Sequence, residues 1–129
     1  MTRDFTYVAD IVQAIVRLVD KLATPDPAFD PANPDPATSN APYRVFNIGN
    51  SKPTPLLSYI AALERSIGAK AKMNMLPMQL GDVPATAADT HTLEEWIGFK
   101  PDTTIKVGIS RFVDWCIDYY NVNRADRSE

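Results

Sequence analysis

The sequence has one cysteine, one histidine and five glycines that never cluster, and each shortage removes a class of chemistry. A lone cysteine, Cys116, cannot form an intrachain disulfide. Its place in an apolar helical pattern is that of a small buried hydrophobe, which fits a reducing, cytoplasmic setting. His91 has no second histidine or nearby cysteine with which to build a zinc set, and no Gly-x-Ser-x-Gly elbow accompanies it, so a surface or helix-start role is expected. A dinucleotide site needs closely spaced glycines so that backbone can approach a pyrophosphate; Gly49, Gly68, Gly81, Gly98 and Gly108 are too far apart. The residues four after Tyr7, Tyr43, Tyr59, Tyr119 and Tyr120 are Ile11, Asn47, Leu63, Asn123 and Arg124, so no tyrosine has the lysine one helical turn on that lowers a phenol's pKa. There is no basic excess either: the formal net charge is -3, which offers no footprint for nucleic acid. No apolar run approaches the ~20 residues of a membrane span, and the start, Met1-Thr2-Arg3-Asp4, lacks an apolar signal core.

What is present is patterned. With 129 residues the chain has the length of a single domain with a core of its own, residues 1–129. Apolar residues at 8, 11, 12, 15, 16, 18, 19 and 22 predict a helix, preceded by a β-prone run at 5–8 and stopped before Thr24-Pro25. Residues 25–42 carry six of the eleven prolines among Asp, Asn and Ser, which predicts a long surface loop, either a functional insertion or locally disordered. Residues 43–48 are β-prone and run into a Gly-Asn-Ser turn. Thr54 as N-cap and Pro55 as first helical residue then predict a helix closed by Gly68. Residues 72–76 read as a short strand, 91–97 as a short helix capped by Asp89 or Thr90 and stopped at Gly98, and a last helix begins after Thr104. Trp96 and Trp115 lie in apolar helical patterns and are expected in the core; residues 121–129 form a polar tail expected to fray. The fold class is α/β, with few short strands and about four helices. Three short strands are few for an independent doubly wound sheet, so the chain reads as part of a larger α/β body.

Two segments carry polar side chains of site-like character: Arg3-Asp4-Phe5 ahead of the first helix, and the irregular Gln79-Leu80-Gly81-Asp82. A fixed guanidinium can hold a phosphate bidentately, and an aspartate can accept from ribose hydroxyls. Both segments also carry a resemblance. Arg3-Asp4-Phe5-Thr6-Tyr7-Val8-Ala9-Asp10 resembles the Arg-Asp-Phe/Tyr-x-x-Val-x-Asp motif of the extended short-chain dehydrogenase/reductase superfamily, and Tyr43-Arg44-Val45-Phe46-Asn47-Ile48-Gly49 its Tyr-Asn-Ile-Gly strand. The stretch from Met75 through Gly81-Asp82-Val83-Pro84 to Thr86, followed by Ala88-Asp89 and Ile97-Gly98-Phe99-Lys100-Pro101, is similar to the UDP-glucuronate 4-epimerase branch, as is a long proline-rich loop before Tyr43.

The resemblance implies a small C-terminal, UDP-sugar-binding domain, with the N-terminal Rossmann domain that holds NAD and the Tyr/Lys pair absent. In that family NAD oxidises C4 of a UDP-hexuronic acid, and hydride returns to the opposite face of the 4-keto sugar. Carried over by position, Arg3 resembles the arginine on the UDP diphosphate, and Asp82 the aspartate near the ribose. Gln79 stands where UDP-galactose relatives carry a phosphate-binding arginine. Leu80 replaces a common proline, which is expected to loosen the loop, and Ala9 replaces a frequent acidic residue. The chain alone is expected to be inactive and to bind no NAD, to bind UDP-sugar weakly or not at all, and to self-associate through surface that the Rossmann domain covers. The alternative from another class is a noncatalytic interaction module derived from the same family.

Overall fold

The computed structural model describes residues 1–122; of the expected tail, residues 123–129 lie outside the described range. The elements run β1 (Thr2–Arg3), α1 (Val8–Asp20), β2 (Thr54–Pro55), α2 (Leu56–Ile67), α3 (His91–Ile97) and α4 (Ile105–Tyr119). Four helices thus appear where the periodicity puts them. α2 and α3 both end as their glycines dictate, with Gly68 at φ 80° and Gly98 at φ 61° donating back to the Glu64 and Glu94 carbonyls at 2.8 Å.

The strands depart from expectation. β1 and β2 pair antiparallel, Thr2 opposite Pro55 and Arg3 opposite Thr54. On its other side β1 meets the chain at 84–86: the Thr2 N–H donates to the Pro84 carbonyl at 2.8 Å, and the Thr86 N–H to the Thr2 carbonyl at 3.2 Å. β1 is therefore the middle of a three-part seam; the β-prone run at 5–8 forms no strand, and its last residue, Val8, opens α1. Phe5 instead stacks on Tyr59 of α2 at 4.1 Å between ring centroids. Thr54 is held in β2 rather than capping α2. Pro55 takes the N-cap position, and the Leu56 N–H finds its acceptor in the Met1 carbonyl at 3.1 Å.

The β-prone segment 43–48 makes only an isolated bridge, Arg44 with Thr38. Its neighbour is the proline-rich loop, and prolines lack the N–H a ladder requires. That loop has an order of its own. Asp26-Pro27-Ala28, Asp30-Pro31-Ala32 and Asp35-Pro36-Ala37 each fold alike, the aspartate carboxylate accepting from the alanine N–H at 2.9–3.0 Å. In each, the aspartate carbonyl also accepts from the residue three on, at 3.1–3.2 Å, so three Asp-Pro turns follow one another. Asp26 further pairs with Arg44 at 3.2 Å, tying the first turn to 43–48. The expected strand at 72–76 is exposed and unladdered, and a cleft of about 900 Å³ separates this stretch from α2.

The core is small. Ala62 of α2 packs with Ile109 and Val113 of α4, flanked by Tyr59, Leu63, Ile105 and Ile117, while Ala14 of α1 and Leu93 of α3 are fully buried. Gly108 lets α4 approach closely, since a Cβ there would meet the Tyr7 ring at 3.2 Å. Trp96 is half-buried beneath Lys21 and Arg44. Trp115 is not in the core: it is half exposed, among Phe112, Tyr119 and Tyr120. Cys116 is half-buried.

Candidate functional site

β1 and the turn at 79–82 bring two of the three expected site residues into contact. The Gln79 carbonyl accepts from the Asp82 N–H at 3.2 Å with Gly81 at φ 90°, the arrangement of a type II turn, whose third position requires positive φ. Leu80 occupies the position where proline would preset φ, and its side chain is fully exposed. The turn delivers the Asp82 carboxylate to Arg3: Nη2 donates to Oδ1 at 2.9 Å, and the Val83 N–H donates to the same oxygen at 3.1 Å. Arg3 Nη1 donates to the Val83 carbonyl at 2.8 Å and to the Thr2 carbonyl at 3.0 Å. A guanidinium has five N–H donors. At least two are left for a ligand, as is Asp82 Oδ2 as an acceptor. Gln79 is exposed at the head of the same turn, and only its backbone carbonyl is engaged in it.

The residue next to Arg3 holds this edge in place. Asp4 Oδ2 accepts from the Ser51 N–H at 3.0 Å and the Ala88 N–H at 3.2 Å, and Oδ1 from the Lys52 N–H at 3.3 Å. One carboxylate thus gathers three backbone N–H groups from two distant segments of the chain. Ser51 adds its hydroxyl, which donates to the Ala88 carbonyl at 2.9 Å and lies 2.9 Å from Thr90 Oγ1. Gly49 is required by the same closeness: a Cβ there would stand 2.4 Å from that of Ala88 and 3.0 Å from Asp4 Oδ2. Asp10 does comparable work at the other end of the motif, accepting from the Thr103 N–H at 3.0 Å and its hydroxyl at 2.8 Å. The sequence motif contains both aspartates, but only contact across 47 to 93 residues of chain shows what they hold.

The residues present do not fit a dinucleotide cradle. Gly68 and Gly98 close helices, Gly81 turns the site loop, and Gly49 and Gly108 admit close neighbours, so each glycine already has a structural task. Among the described residues no group of three His, Cys, Asp or Glu side chains could hold a metal ion. His91 is exposed and lies 3.4 Å from Glu95, one turn along α3. No described helix is long and apolar enough to cross a membrane.

No protein-family model matches the chain. Its relatives are nonetheless clear. It is 50% identical to Protein CapI of Staphylococcus aureus over 93% of this chain and 36% of that protein, and 41% identical to the probable UDP-glucuronate 4-epimerase of Rhizobium meliloti over 89% and 34%. The chain spans about a third of the length of the curated relatives it matches. Among solved structures, UDP-glucose 4-epimerase from Bifidobacterium longum superposes with a TM-score of 0.70 at 22% identity, over 93% of this chain and 31% of that one. UDP-glucuronic acid 4-epimerase from Bacillus cereus gives 0.66 at 23% identity, over 95% and 32%. The likeness to these structures gives the fold, and it falls on their C-terminal part. Over nearly its whole length the chain is similar to part of Protein CapI and of a probable UDP-glucuronate 4-epimerase, and its fold is that of the C-terminal part of solved UDP-sugar 4-epimerases.

Proposed function

We propose that this chain supplies one wall of the UDP-sugar site of a UDP-glucuronate 4-epimerase. The observation that carries the reading is the Arg3–Asp82 pair, formed across β1 and the 79–82 turn with donor and acceptor capacity to spare. The guanidinium presents charge-assisted donors to a diphosphate, Asp82 offers its second oxygen to a ribose hydroxyl, and the neutral Gln79 amide adds a donor without Coulomb attraction. The parent reaction is reversible C4 epimerisation of UDP-glucuronate, with NAD and the proton-transferring residues held outside this chain. Alone the chain catalyses nothing and binds UDP-sugar weakly. Incubation with NAD and UDP-glucuronate, followed by separation of the sugar nucleotides, is expected to give no UDP-galacturonate. Measurable turnover overturns the division of labour.

A second reading, a noncatalytic interaction module of the same descent, draws on the apolar side chains exposed along α1. The same exposure supports self-association in the cytoplasm as a property of either reading. UDP titration separates the two, since only the first requires the nucleotide.

A further inference from the structure

Asp82 reaches Arg3 only while the 79–82 turn is closed, and the two residues at the centre of that turn set how firmly it closes. Gly81, at φ 90°, sits where glycine goes without steric cost, and a Cβ there would meet nothing within 4 Å. The position therefore calls for glycine on backbone grounds alone. Leu80 is the loose half. The second position of a type II turn suits a φ of about −65°, which proline presets and leucine must find among its other allowed values. The Leu80 N–H donates to nothing among the described residues, and the side chain is fully exposed in this chain. Neither a hydrogen bond nor packing within the chain selects leucine.

The forces that keep the turn shut are slight. Among the described residues, the Asp82 N–H to Gln79 carbonyl bond at 3.2 Å is the one backbone–backbone hydrogen bond within 72–82. The Arg3–Asp82 ion pair is partly exposed and screened by solvent. Against them stands the conformational entropy of fixing Leu80 and Gly81, the glycine above all. The opposing contributions are comparable in size, so the closed turn exchanges with open arrangements. A ligand that needs Arg3 and Asp82 side by side selects the closed one. The φ preferences of residues 80 and 81 belong to the turn itself, and they hold whether or not further chain lies beside it.

We infer that residues 80 and 81 are affinity-determining positions of the UDP-sugar site, acting through the fraction of molecules in which the 79–82 turn is closed. The inference rests on the UDP-sugar reading and adds how that site is tuned. Apparent affinity is the intrinsic affinity scaled by the closed fraction. A residue that narrows the backbone choices of position 80 raises that fraction. One that burdens the positive φ of position 81 lowers it.

Calorimetric titration of UDP into the unaltered chain, Leu80→Pro, Leu80→Gly and Gly81→Ala tests this, with thermal unfolding followed in parallel. Leu80→Pro is expected to bind about two- to fivefold more tightly, and Leu80→Gly and Gly81→Ala more weakly by at least a similar factor. Leu80→Gly makes no demand on the conformation of Gln79, so it keeps the test decisive should the proline variant misfold. Melting temperatures are expected to move little, because a turn that is open much of the time adds little to global stability. Amide exchange gives a second reading: the Asp82 N–H should exchange faster than the Thr86 N–H, which the Thr2 carbonyl holds, and should slow in Leu80→Pro and on adding UDP. No UDP binding by the unaltered chain overturns the UDP-sugar reading and this inference together. Saturable binding that Arg3→Ala weakens, but that is the same in all three turn variants while their melting temperatures shift, overturns the inference and leaves the site reading standing.

Discussion

Arg3 Nη2 lies 2.9 Å from Asp82 Oδ1, joining residues 79 positions apart. The pair is about a quarter to a third exposed, at 24% and 35% of side-chain surface, so solvent screens it and its contribution to stability is small, about 0–1 kcal/mol. Each partner fixes the other's direction and keeps unused hydrogen-bonding capacity, which is what the proposed reading requires.

Asp82→Asn separates these roles. The amide keeps an oxygen for Arg3 and the Val83 N–H but removes the negative charge beside the guanidinium. Thermal unfolding is expected to move little, within about 0.5 kcal/mol. Uridine affinity is expected to fall, because the charged acceptor for the ribose is lost, while pyrophosphate affinity holds or rises. Parallel calorimetry with the two half-ligands checks the split.

Asp4 is expected to matter more for folding than either site residue. Asp4→Ala leaves the Ser51, Lys52 and Ala88 N–H groups without their carboxylate and should cost roughly 2–3 kcal/mol in denaturant unfolding. Asp4→Asn, which keeps one oxygen, should cost less.

Gly49→Ala tests the same junction from the packing side. The added methyl meets Ala88 Cβ at 2.4 Å, so the 47–51 turn or the 85–89 segment must shift, and a loss of about 1–3 kcal/mol is expected. Gly49→Ala combined with Ala88→Gly should recover part of it.

Two carboxylates contribute to the acid limb of stability. The Lys70 ammonium and the Ala71 N–H hold Glu64 below its ordinary 4.5, and the Ala28 N–H, with Thr38 and Arg44, holds Asp26 below its ordinary 3.8. Groups with depressed folded values stabilise fully above their unfolded values, and that contribution disappears as pH falls through the folded ones. Denaturation midpoints are therefore expected to fall below pH 4.5, more shallowly in Glu64→Gln. A midpoint that rises on acidification contradicts the assignment.

Helices were legible in the sequence because each is an autonomous pattern: the apolar spacing of α1 and α4 and the glycine stops of α2 and α3 are local signals. Strands were not, because a strand exists only where another backbone lies beside it. Residues 43–48 and 72–76 have strand composition without a ladder, whereas Thr2–Arg3 and Thr54–Pro55, short and containing proline, pair because the chain brings them together. Of the candidate site, Arg3, Gln79 and Asp82 are expectations carried by resemblance, whereas the pairing of Arg3 with Asp82 and the clamping by Asp4 and Asp10 depend on contacts between distant segments. Trp115 shows the opposite error, for helical periodicity marks an apolar face without saying that this chain covers it.

The central claim, that the edge built from β1 and the 79–82 turn receives a UDP-sugar, is tested most directly by calorimetric titration of UDP into the unaltered chain and into Arg3→Ala. Saturable binding is expected with one UDP per chain, weakened about tenfold or more by the substitution, as loss of charge-assisted hydrogen bonds requires. No binding at millimolar UDP, or binding indifferent to Arg3→Ala, contradicts it.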